Sequence, residues 1–381
     1  GANGVFDTVL PGQRIAGRDF PITGDDVIGS QGVVDKDFVR IVHGGRLDIG
    51  VNTFGGPFGA LPQVTGRNTP TAINAVFNES NFWDGRANNS FDGSSVRNDG
   101  TGVLQVVGGV VQRVLIELID SSAASQSVGP PNSDVEMAWA GRQFADIGKK
   151  MLALRPLGTQ AVHPQDSVLG ALRHPSGNGL ARTYQQLIAD AFQSSFWDSN
   201  AIIDRNGNVV GAGTPVGLDQ FSVMEANFSL FWGLAIQMYE STLISSDAPI
   251  DRFARGNAGA LSARQQLGMD LFFGNAACSE CHGGSEFTNA SVNVGGNGRA
   301  FNNIGVEPLS EDPGNADGEF KTPGLRNTEL TGPYFHNGKY PTLRAVVDFY
   351  NRGGDVPNDA IEPLGLTVAE RDALVDFLLA L

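Results

Sequence analysis

The chain has 381 residues, 41% of them hydrophobic, so it can build sizeable cores, and its length favours two or three domains. A formal net charge of −15 argues against nucleic acid and against an anionic membrane surface as partners, because both reward a basic patch. The longest apolar run, around Phe228–Ile236, is well short of the ~20 residues that a membrane-spanning helix needs, so we expect no membrane span.

The first third of the chain has little periodic pattern. Residues 1–35 and the Gly-rich span from His43 to Arg67 predict loops, the second of which could fold over a cofactor edge. The later insertion Asn88–Pro131 is rich in Gly, Ser and Asn and is longer than a compact domain usually tolerates without function. An apolar run inside it predicts a helix over Val106–Ile119. We expect the insertion to reshape the entrance to a functional site in the first half of the chain.

Helical patterns dominate the middle of the chain. Apolar residues at i, i+3 and i+4 predict helices over Glu136–Leu154 and Leu180–Trp197, and a long aromatic helix over Phe221–Leu243. Between them, Ile202–Val210 predicts a hairpin with an Asn-Gly turn.

A linker is predicted at Ser245–Gly259, where Pro and Gly are frequent. It divides the chain into an N-terminal domain, residues 1–249, and a C-terminal domain, residues 250–381. Capping boxes at Ser262–Gln265 and Thr367–Glu370 each predict the start of a helix. We expect the last helix, which runs to the C-terminus, to pack across the first helix of the C-terminal domain.

Cys278-Ser-Glu-Cys281-His282 is the most informative stretch of the sequence. Two thiols three residues apart can add to the two porphyrin vinyl groups, and the adjacent histidine can ligate the iron. A redox dithiol or a metal site is the alternative, but the chain has no other cysteine to complete a zinc site. The motif predicts one covalently bound haem c. Because haem c is normally attached outside the bacterial cytoplasm, we expect a periplasmic or secreted protein.

One segment of the sequence occurs twice. Five residue types recur at a constant offset (322 − 69 = 253 and 338 − 85 = 253). The pairs are Thr69 and Thr322, Pro70 and Pro323, Asn74 and Asn327, Phe82 and Phe335, and Gly85 and Gly338. The repeat predicts an internal duplication.

A duplicated chain should carry a second haem motif before Thr69. Val39–Gly45 overlays the Cys278–Gly284 stretch there, with valine at both cysteine positions and His43 in place of His282. The first half therefore cannot hold haem through thioether bonds. His43 could still ligate a non-covalent haem, or it could simply pack or form a hydrogen bond.

The chain resembles the bacterial dihaem cytochrome c peroxidases and their relatives of the MauG type. The resemblance is carried by the Cys278–His282 motif and by the stretches Phe82–Arg86, Phe320–Asn327, Thr331–Gly338 and Asp348–Gly354. It implies a mainly α protein made of two cytochrome c-like domains related by internal duplication, with loop-rich insertions.

The resemblance also implies an axial ligand opposite His282. In MauG-like members this ligand is a tyrosine, fourteen residues after the histidine of the Tyr-Phe-His motif, which is Tyr350 here (336 + 14 = 350). Tyrosinate stabilises ferric iron, so the resemblance implies a haem of low potential. A core aromatic on the helix over Leu343–Asn351 is the alternative.

A calcium ion lies between the two domains in the family. Its ligands map onto the Asn68 side chain and onto the backbone carbonyls of Thr331 and Pro333. Oxygen ligands suit Ca²⁺. Asn68 could equally cap a turn.

Two further residues receive roles from the resemblance. Trp83 maps onto the tryptophan that relays electrons between the two haems, although a lone aromatic in an apolar stretch is more often core. Glu136 maps onto the acid/base above the peroxide-binding face of the first haem, although an acidic residue in a first helical turn also favours the helix dipole.

The sequence thus predicts a haem c oxidoreductase that uses hydrogen peroxide to oxidise a redox partner protein, a substrate protein or a small electron donor. The alternative is a single-haem electron-transfer, sensor or scaffold protein, because only one covalent haem motif is present.

Overall fold

The computed structural model describes residues 29–41, 47–53, 62–96, 100–294, 300–306, 312 and 314–381. Of these described residues 31% are helical and 17% are extended, so helices are the larger class but share the fold with many short strands. No helix among them is long and apolar enough to cross a membrane.

The α-helices are short. In chain order they are α1 Ser122–Ser127, α2 Phe144–Met151, α3 Tyr184–Ala191, α4 Val223–Ala226, α5 Phe228–Glu240, α6 Pro249–Ala254, α7 Ala263–Phe273, α8 Leu343–Arg352 and α9 Val368–Leu378. Single 3₁₀ turns cover Ala75–Phe77, Pro130–Asn132, Gly170–Leu172, Ser194–Phe196, Ala258–Ala260, Cys278–Glu280, Val292–Val294 and Thr328–Leu330.

The strands form two-stranded antiparallel ribbons. They are β1 Gln31–Val34, β2 Lys36–Ile41, β3 Asp48–Asn52, β4 Pro62–Val64, β5 Val103–Val107, β6 Val110–Val114, β7 Ala201–Ile203, β8 Val209–Ala212, β9 Phe301–Asn302 and β10 Phe320–Lys321. The pairs are β1 with β4, β2 with β3, β5 with β6, β7 with β8 and β9 with β10.

The helix predicted over Val106–Ile119 is wrong, because this run forms the β5–β6 hairpin. Val107 pairs with Val110 across a two-residue turn. The turn residues Gly108 and Gly109 have φ values of 59° and 82°, which only glycine adopts easily. The run is rich in β-branched valine, which favours a strand over a helix once such a turn is available.

The helix predicted over Glu136–Leu154 is wrong in its first half. Gly141, at φ 85°, keeps the preceding residues out of a helix. Helix α2 starts instead at Phe144, after a capping box formed by Gln143 and Asp146. Glu136 lies in a turn, so the helix-dipole explanation for its position does not apply.

The remaining helical predictions hold in part. The aromatic helix is divided into α4 and α5 at Asn227, whose side chain bonds both the backbone N–H (2.9 Å) and the carbonyl (2.7 Å) of Leu104. In the predicted Leu180–Trp197 helix, only the α3 residues are α-helical. The hairpin predicted at Ile202–Val210 is present as β7 and β8, with Gly207 at φ 80° in its turn.

The described residues form three apolar cores, two in the first half of the chain and one in the second half. The buried residues of the first-half cores lie between Phe91 and Phe231 and between Leu104 and Val223, and those of the second-half core lie between Ile250 and Leu381. In the second-half core α9 packs across α7, as the sequence led us to expect. A Cβ at Gly268 of α7 would lie 2.0 Å from the Ala373 carbonyl oxygen of α9, so glycine permits this close crossing.

The duplicated segment has the same unusual backbone in both copies. Left-handed residues recur at the offset of 253, with φ values of 60° and 58° at Asn74 and Asn327, 64° and 66° at Phe82 and Phe335, and 68° and 69° at Gly85 and Gly338. Asn74 and Asn327 each stand at the start of a 3₁₀ turn. Left-handed backbone is costly for a side chain as bulky as phenylalanine, so chance agreement at this spacing is a poor explanation.

The two copies also contact each other reciprocally. The backbone N–H of Asn68 donates to the His336 carbonyl at 2.6 Å, and the N–H of Lys321 donates to the Trp83 carbonyl at 2.7 Å. Lys321 and His336 are the repeat equivalents of Asn68 and Trp83 (68 + 253 = 321; 83 + 253 = 336). Such an exchange of partners is the signature of a local two-fold axis.

Candidate functional site

The Cys278–His282 motif is presented by a single helical turn at the end of α7. Helix α7 begins at a capping box in which Ser262 and Gln265 satisfy each other's backbone N–H groups. Ala277 then takes a left-handed conformation, with φ 49°, and Cys278–Glu280 form a 3₁₀ turn. The N–H of His282 donates to the Cys278 carbonyl at 2.8 Å. The turn therefore places both thiols and the imidazole on one compact unit.

Both cysteines are free thiols in partly buried surroundings. Burial raises the pKa of Cys278 to about 12, and it also raises the pKa of Cys281 above the ordinary thiol value. Reactive dithiols have the opposite property, a low pKa. The described residues contain no group of three or more His, Cys, Asp or Glu side chains that could hold a metal ion. These features count against the redox-dithiol and zinc alternatives.

One ring nitrogen of His282 already has a hydrogen-bond partner in the protein. Its Nδ1 lies 3.0 Å from the Phe287 carbonyl oxygen, to which it can only donate, and the Pro323 backbone carbonyl also lies within hydrogen-bonding reach of the ring. With the proton on Nδ1, the neutral ring carries its lone pair on Nε2. Phe287 itself has a left-handed backbone, with φ 52°. Burial lowers the pKa of His282 to about 4, so the ring is neutral at physiological pH. A neutral imidazole with a fixed tautomer is suited to bind iron.

Tyr350 lies close to both thiols. It is on α8, which begins with a Thr342 cap and ends at Gly353 in the left-handed region, with φ 82°. Burial raises the pKa of Tyr350 well above the ordinary phenol value, and the charges of ionised Cys278 and Cys281 would raise it further. The structure thus brings together Cys278, Cys281, His282 and Tyr350, four residues that sequence analysis singled out.

The chemistry of this group of residues fits a covalently bound haem. Two protonated thiols on one turn can form thioethers, and His282 offers a lone pair. All four residues are embedded in protein, yet each retains some accessible surface, which a cofactor could cover. Lys321 is close enough to His282 to disfavour its protonation, and its own side chain is 8% exposed. Burial lowers the pKa of Lys321 to about 8.

The described residues at the start of the overlaid first-half stretch, Val39–Ile41, form a strand and not a helical turn. Val39, which overlays Cys278 in the sequence, lies in strand β2 and is 48% exposed. Alternate side chains of a strand face opposite sides, whereas a helical turn places positions i and i+3 together. Val39 is therefore an exposed strand residue and not part of a core. His43 lies outside the described residues.

Trp83 lies where the two copies of the repeat meet. Its indole N–H donates to the Asn68 carbonyl at 2.8 Å, and its ring meets His336 edge to face at 6.4 Å. His336 is 3% exposed and stacks on Phe320 with ring centroids 3.5 Å apart. Burial lowers the pKa of His336 to about 4.

The three residues expected to bind calcium lie at the same junction. The Asn68 amide nitrogen donates to the Pro333 carbonyl at 2.6 Å, and the Thr331 hydroxyl donates to the Thr328 carbonyl at 3.3 Å. Two ligands of one cation repel each other and do not share a hydrogen bond. In this arrangement Asn68 and Pro333 do not fit a calcium ion, because the amide would first have to turn its oxygen toward Pro333.

Glu136 faces the first copy of the repeat. Burial raises the pKa of Glu136, and the nearby Arg86 partly offsets this effect. Arg86 lies over the Phe82 ring at 3.9 Å and pairs with Asp84 at 3.0 Å. A carboxyl with a raised pKa is a reasonable proton donor.

Sequence analysis missed the ion pairs that join the two halves. Arg67 donates two hydrogen bonds of 2.6 Å each to Asp312 and also contacts Asp84 at 2.8 Å. No local pattern pairs two residues so far apart in the chain. Lys321 belongs to the Phe320–Asn327 stretch, but the sequence of that stretch does not indicate that the lysine side chain is buried.

Comparisons with known proteins identify the family to which the chain is similar. A family model described as di-haem cytochrome c peroxidase matches residues 43–259, more than half of the chain. The cytochrome-c peroxidase IdrP2 of Denitromonas iodatirespirans is 36% identical over 171 residues, covering 38% of this chain and 46% of that protein. The methylamine utilization protein MauG of Methylorubrum extorquens is 37% identical over 148 residues, covering 38% and 42%.

A solved structure has a similar fold. The crystal structure of a MauG-like protein associated with microbial copper homeostasis superposes with a TM-score of 0.50 at 19% identity, covering 87% of this chain and 79% of that one. The chain spans a little under half the length of the two curated relatives.

Proposed function

Because the chain belongs to the di-haem cytochrome c peroxidase family, we propose that it is a peroxidase-like haem c oxidoreductase. It would use hydrogen peroxide to oxidise a redox partner protein, a substrate protein or a small electron donor. The observation that carries the proposal is the Cys278–His282 turn, in which Tyr350 lies beside both thiols and the His282 Nδ1 is hydrogen-bonded to the Phe287 carbonyl.

The C-terminal half would hold the covalent haem. Cys278 and Cys281 would form the thioethers, and His282 and Tyr350 would be the protein ligands of the iron. When bound, the haem would supply the redox chemistry. The chain would provide the two iron ligands and keep water away from them. Deprotonation of Tyr350 is unfavourable in these buried surroundings, so iron binding would have to stabilise the phenolate. A phenolate ligand then favours ferric iron and a low potential.

The N-terminal half would be a second cytochrome c-like domain without a covalent haem, with the boundary near residues 249 and 250. The separate cores and the repeated left-handed residues support this division. A non-covalent haem held by His43 would supply the peroxide chemistry there, with Glu136 as the acid/base and Trp83 as the relay.

A single-haem electron-transfer, sensor or scaffold protein is the second candidate. The β2 strand at Val39 favours it, because the first half has no thiols and the described part of the overlaid stretch, up to Ile41, is a strand. In that case Trp83 and Glu136 would have structural roles only.

Location and calcium remain parts of the proposal. Haem c attachment supports a periplasmic or secreted protein. Calcium binding at Asn68, Thr331 and Pro333 would require the Asn68 amide to rotate, and added calcium should then change the tryptophan fluorescence of Trp83.

Rapid mixing of the purified ferric holoprotein with hydrogen peroxide tests the function. We expect a fast change in the Soret band and peroxide-dependent oxidation of a reduced c-type cytochrome. The Tyr350→Phe variant should have a different ferric spectrum before mixing. A spectrum that does not respond to peroxide would favour the second candidate, and an unchanged ferric spectrum in Tyr350→Phe would remove Tyr350 as a ligand.

A further inference from the structure

Tyr340, whose hydroxyl donates a hydrogen bond to a carboxylate, is connected by ring contacts to Tyr350, the proposed haem ligand. The Tyr340 hydroxyl donates to the Asp355 carboxylate at 2.5 Å, and the Arg352 guanidinium donates to the same phenol oxygen at 2.5 Å. Tyr340 is partly exposed and the Arg352 side chain is 46% exposed, so this pair lies near the surface. Sequence analysis did not assign a role to any of these residues.

Asp355 is held in its ionised form. Its side chain is 9% exposed and pairs with Lys339 at 2.8 Å and with Arg352 at 2.5 Å. Burial would by itself raise the pKa of Asp355, but the hydrogen bonds from Lys339, Tyr340 and Arg352 outweigh it and lower that pKa. The carboxylate is therefore available to accept a proton at physiological pH.

A continuous series of ring contacts joins Tyr340 to Tyr350. The ring centroids of Tyr340 and Phe349 are 5.5 Å apart, and those of Phe349 and Tyr350 are 5.3 Å apart. Phe335 offers a parallel path, at 5.2 Å from Tyr340 and 6.2 Å from Tyr350. Phe349 is fully buried. Rings in near contact leave only short gaps for electron tunnelling.

The other aromatic donors nearby lack such an acceptor. The Trp83 indole N–H donates to the Asn68 carbonyl, and the Tyr334 hydroxyl donates to the Thr328 carbonyl at 2.8 Å. An uncharged carbonyl is a much weaker base than a carboxylate. Because a phenol becomes a strong acid when it loses an electron, its oxidation is easier when a base already holds the hydrogen bond.

We propose that Tyr340 is a redox-active tyrosine that carries oxidising equivalents from the haem site to the surface. Its phenol gives one electron through Phe349 and Phe335 to Tyr350 and the oxidised haem, and its proton moves to Asp355. The products are a neutral phenoxyl radical and a protonated Asp355. A one-electron donor at the surface then reduces the radical, and Asp355 returns the proton.

This assignment rests on the proposed function, since that function supplies the oxidant. The experiment therefore oxidises the holoprotein in two ways, with hydrogen peroxide and with a photogenerated ruthenium(III) complex, and freezes it for electron paramagnetic resonance. Ring-deuterated tyrosine identifies a tyrosyl signal by its narrowing. The variants are Tyr340→Phe and Asp355→Asn, and the matched control is Tyr334→Phe, whose residue forms a strand bridge with Tyr340.

We expect a tyrosyl signal in the wild type and in Tyr334→Phe, and its loss in Tyr340→Phe and Asp355→Asn. A signal that persists in Tyr340→Phe, or no tyrosyl signal with either oxidant, would overturn the assignment. A signal that depends on Tyr340 with ruthenium but is absent with peroxide would support the assignment and count against the peroxidase function. Asp355→Asn could fold poorly, but Tyr340→Phe removes a single hydroxyl and decides the question alone.

Discussion

The segments 67–87 and 320–340 have left-handed residues at the same spacing and exchange backbone hydrogen bonds around a local two-fold axis, yet their surroundings differ. The second stands beside the turn that carries Cys278 and Cys281, whereas the described part of the corresponding first-half stretch belongs to strand β2. Position 83 is tryptophan and its equivalent, position 336, is histidine. A duplicated scaffold can therefore keep its backbone and its contacts after one copy has lost the groups that attach a cofactor.

The largest expected difference between the halves is haem attachment. The double variant Cys278→Ala, Cys281→Ala should lose all covalent haem, because no other thiol exists in the chain. Haem staining after denaturing electrophoresis and the intact mass measure it. Val39→Ala, at the first-half position that overlays Cys278, should keep the full haem content. Retained staining in the double variant would refute the attachment site.

The two halves should differ in how well they tolerate a methyl group at a tightly packed helix glycine. Gly268→Ala would force a methyl group against the Ala373 backbone oxygen, and we expect a loss of about 3 kcal/mol in unfolding free energy. In the first half, a Cβ at Gly233 of α5 would meet the Phe91 ring at 2.8 Å, and a ring can shift. We expect about 1 kcal/mol there. Urea unfolding of both holoproteins measures the difference, and equal losses would contradict it.

Acid should destabilise the second copy through His336. Its pKa is about 4 in the folded chain because of burial, against an ordinary value of 6.5, so between these pH values the unfolded chain binds the extra proton. Stability therefore falls as the pH falls from 6.5 toward 4, by about 2 kcal/mol between pH 7 and pH 5.

Replacing His336 with phenylalanine should remove its contribution of about 2 kcal/mol and leave that of His282, whose pKa burial also lowers to about 4, whereas the same change at the exposed His163 should leave the slope intact. Urea unfolding at several pH values measures the slopes. An undiminished slope in His336→Phe would show that another group causes the acid sensitivity.

Asn74 and Asn327, which open the two 3₁₀ turns, should contribute unequally to the free energy of unfolding. Glycine tolerates their left-handed backbone, so Asn→Gly isolates the side-chain contacts. Asn74 donates to the Glu286 carboxylate at 2.6 Å and accepts from the Ser245 N–H at 2.7 Å, whereas the Asn327 oxygen accepts from the Ser245 hydroxyl at 3.2 Å and its amide nitrogen is buried without a partner.

We expect Asn74→Gly to cost about 1–2 kcal/mol and Asn327→Gly to stay within about 0.5 kcal/mol. Thermal or urea unfolding compares them. A larger loss in Asn327→Gly than in Asn74→Gly would mean that the second copy depends more on this turn.

The sequence contained enough to predict the haem-binding turn, because attachment chemistry fixes residue types at a short spacing. It also predicted the helix starts at Ser262 and Thr367, where a capping box satisfies local N–H groups. Local pattern failed at Val106–Ile119, where a Gly-Gly turn outweighed apolar helical spacing. It also failed at Val39, because an overlay of residue types does not reveal whether the backbone is a strand or a turn.

Contacts between distant residues were beyond sequence reasoning. The ion pair of Arg67 with Asp312 and the hydrogen bond of Tyr340 with Asp355 depend on how loops return to the same place. Neither pair has a spacing that a helix or strand would explain. The stacking of His336 on Phe320 belongs to the same group.

The central claim is one covalent haem in the second half and none held by thioethers in the first. Acid-acetone extraction of the purified holoprotein, followed by pyridine haemochrome analysis of both fractions, tests it most directly. We predict one retained haem c per chain. A retained count of two, or of none, would contradict the account.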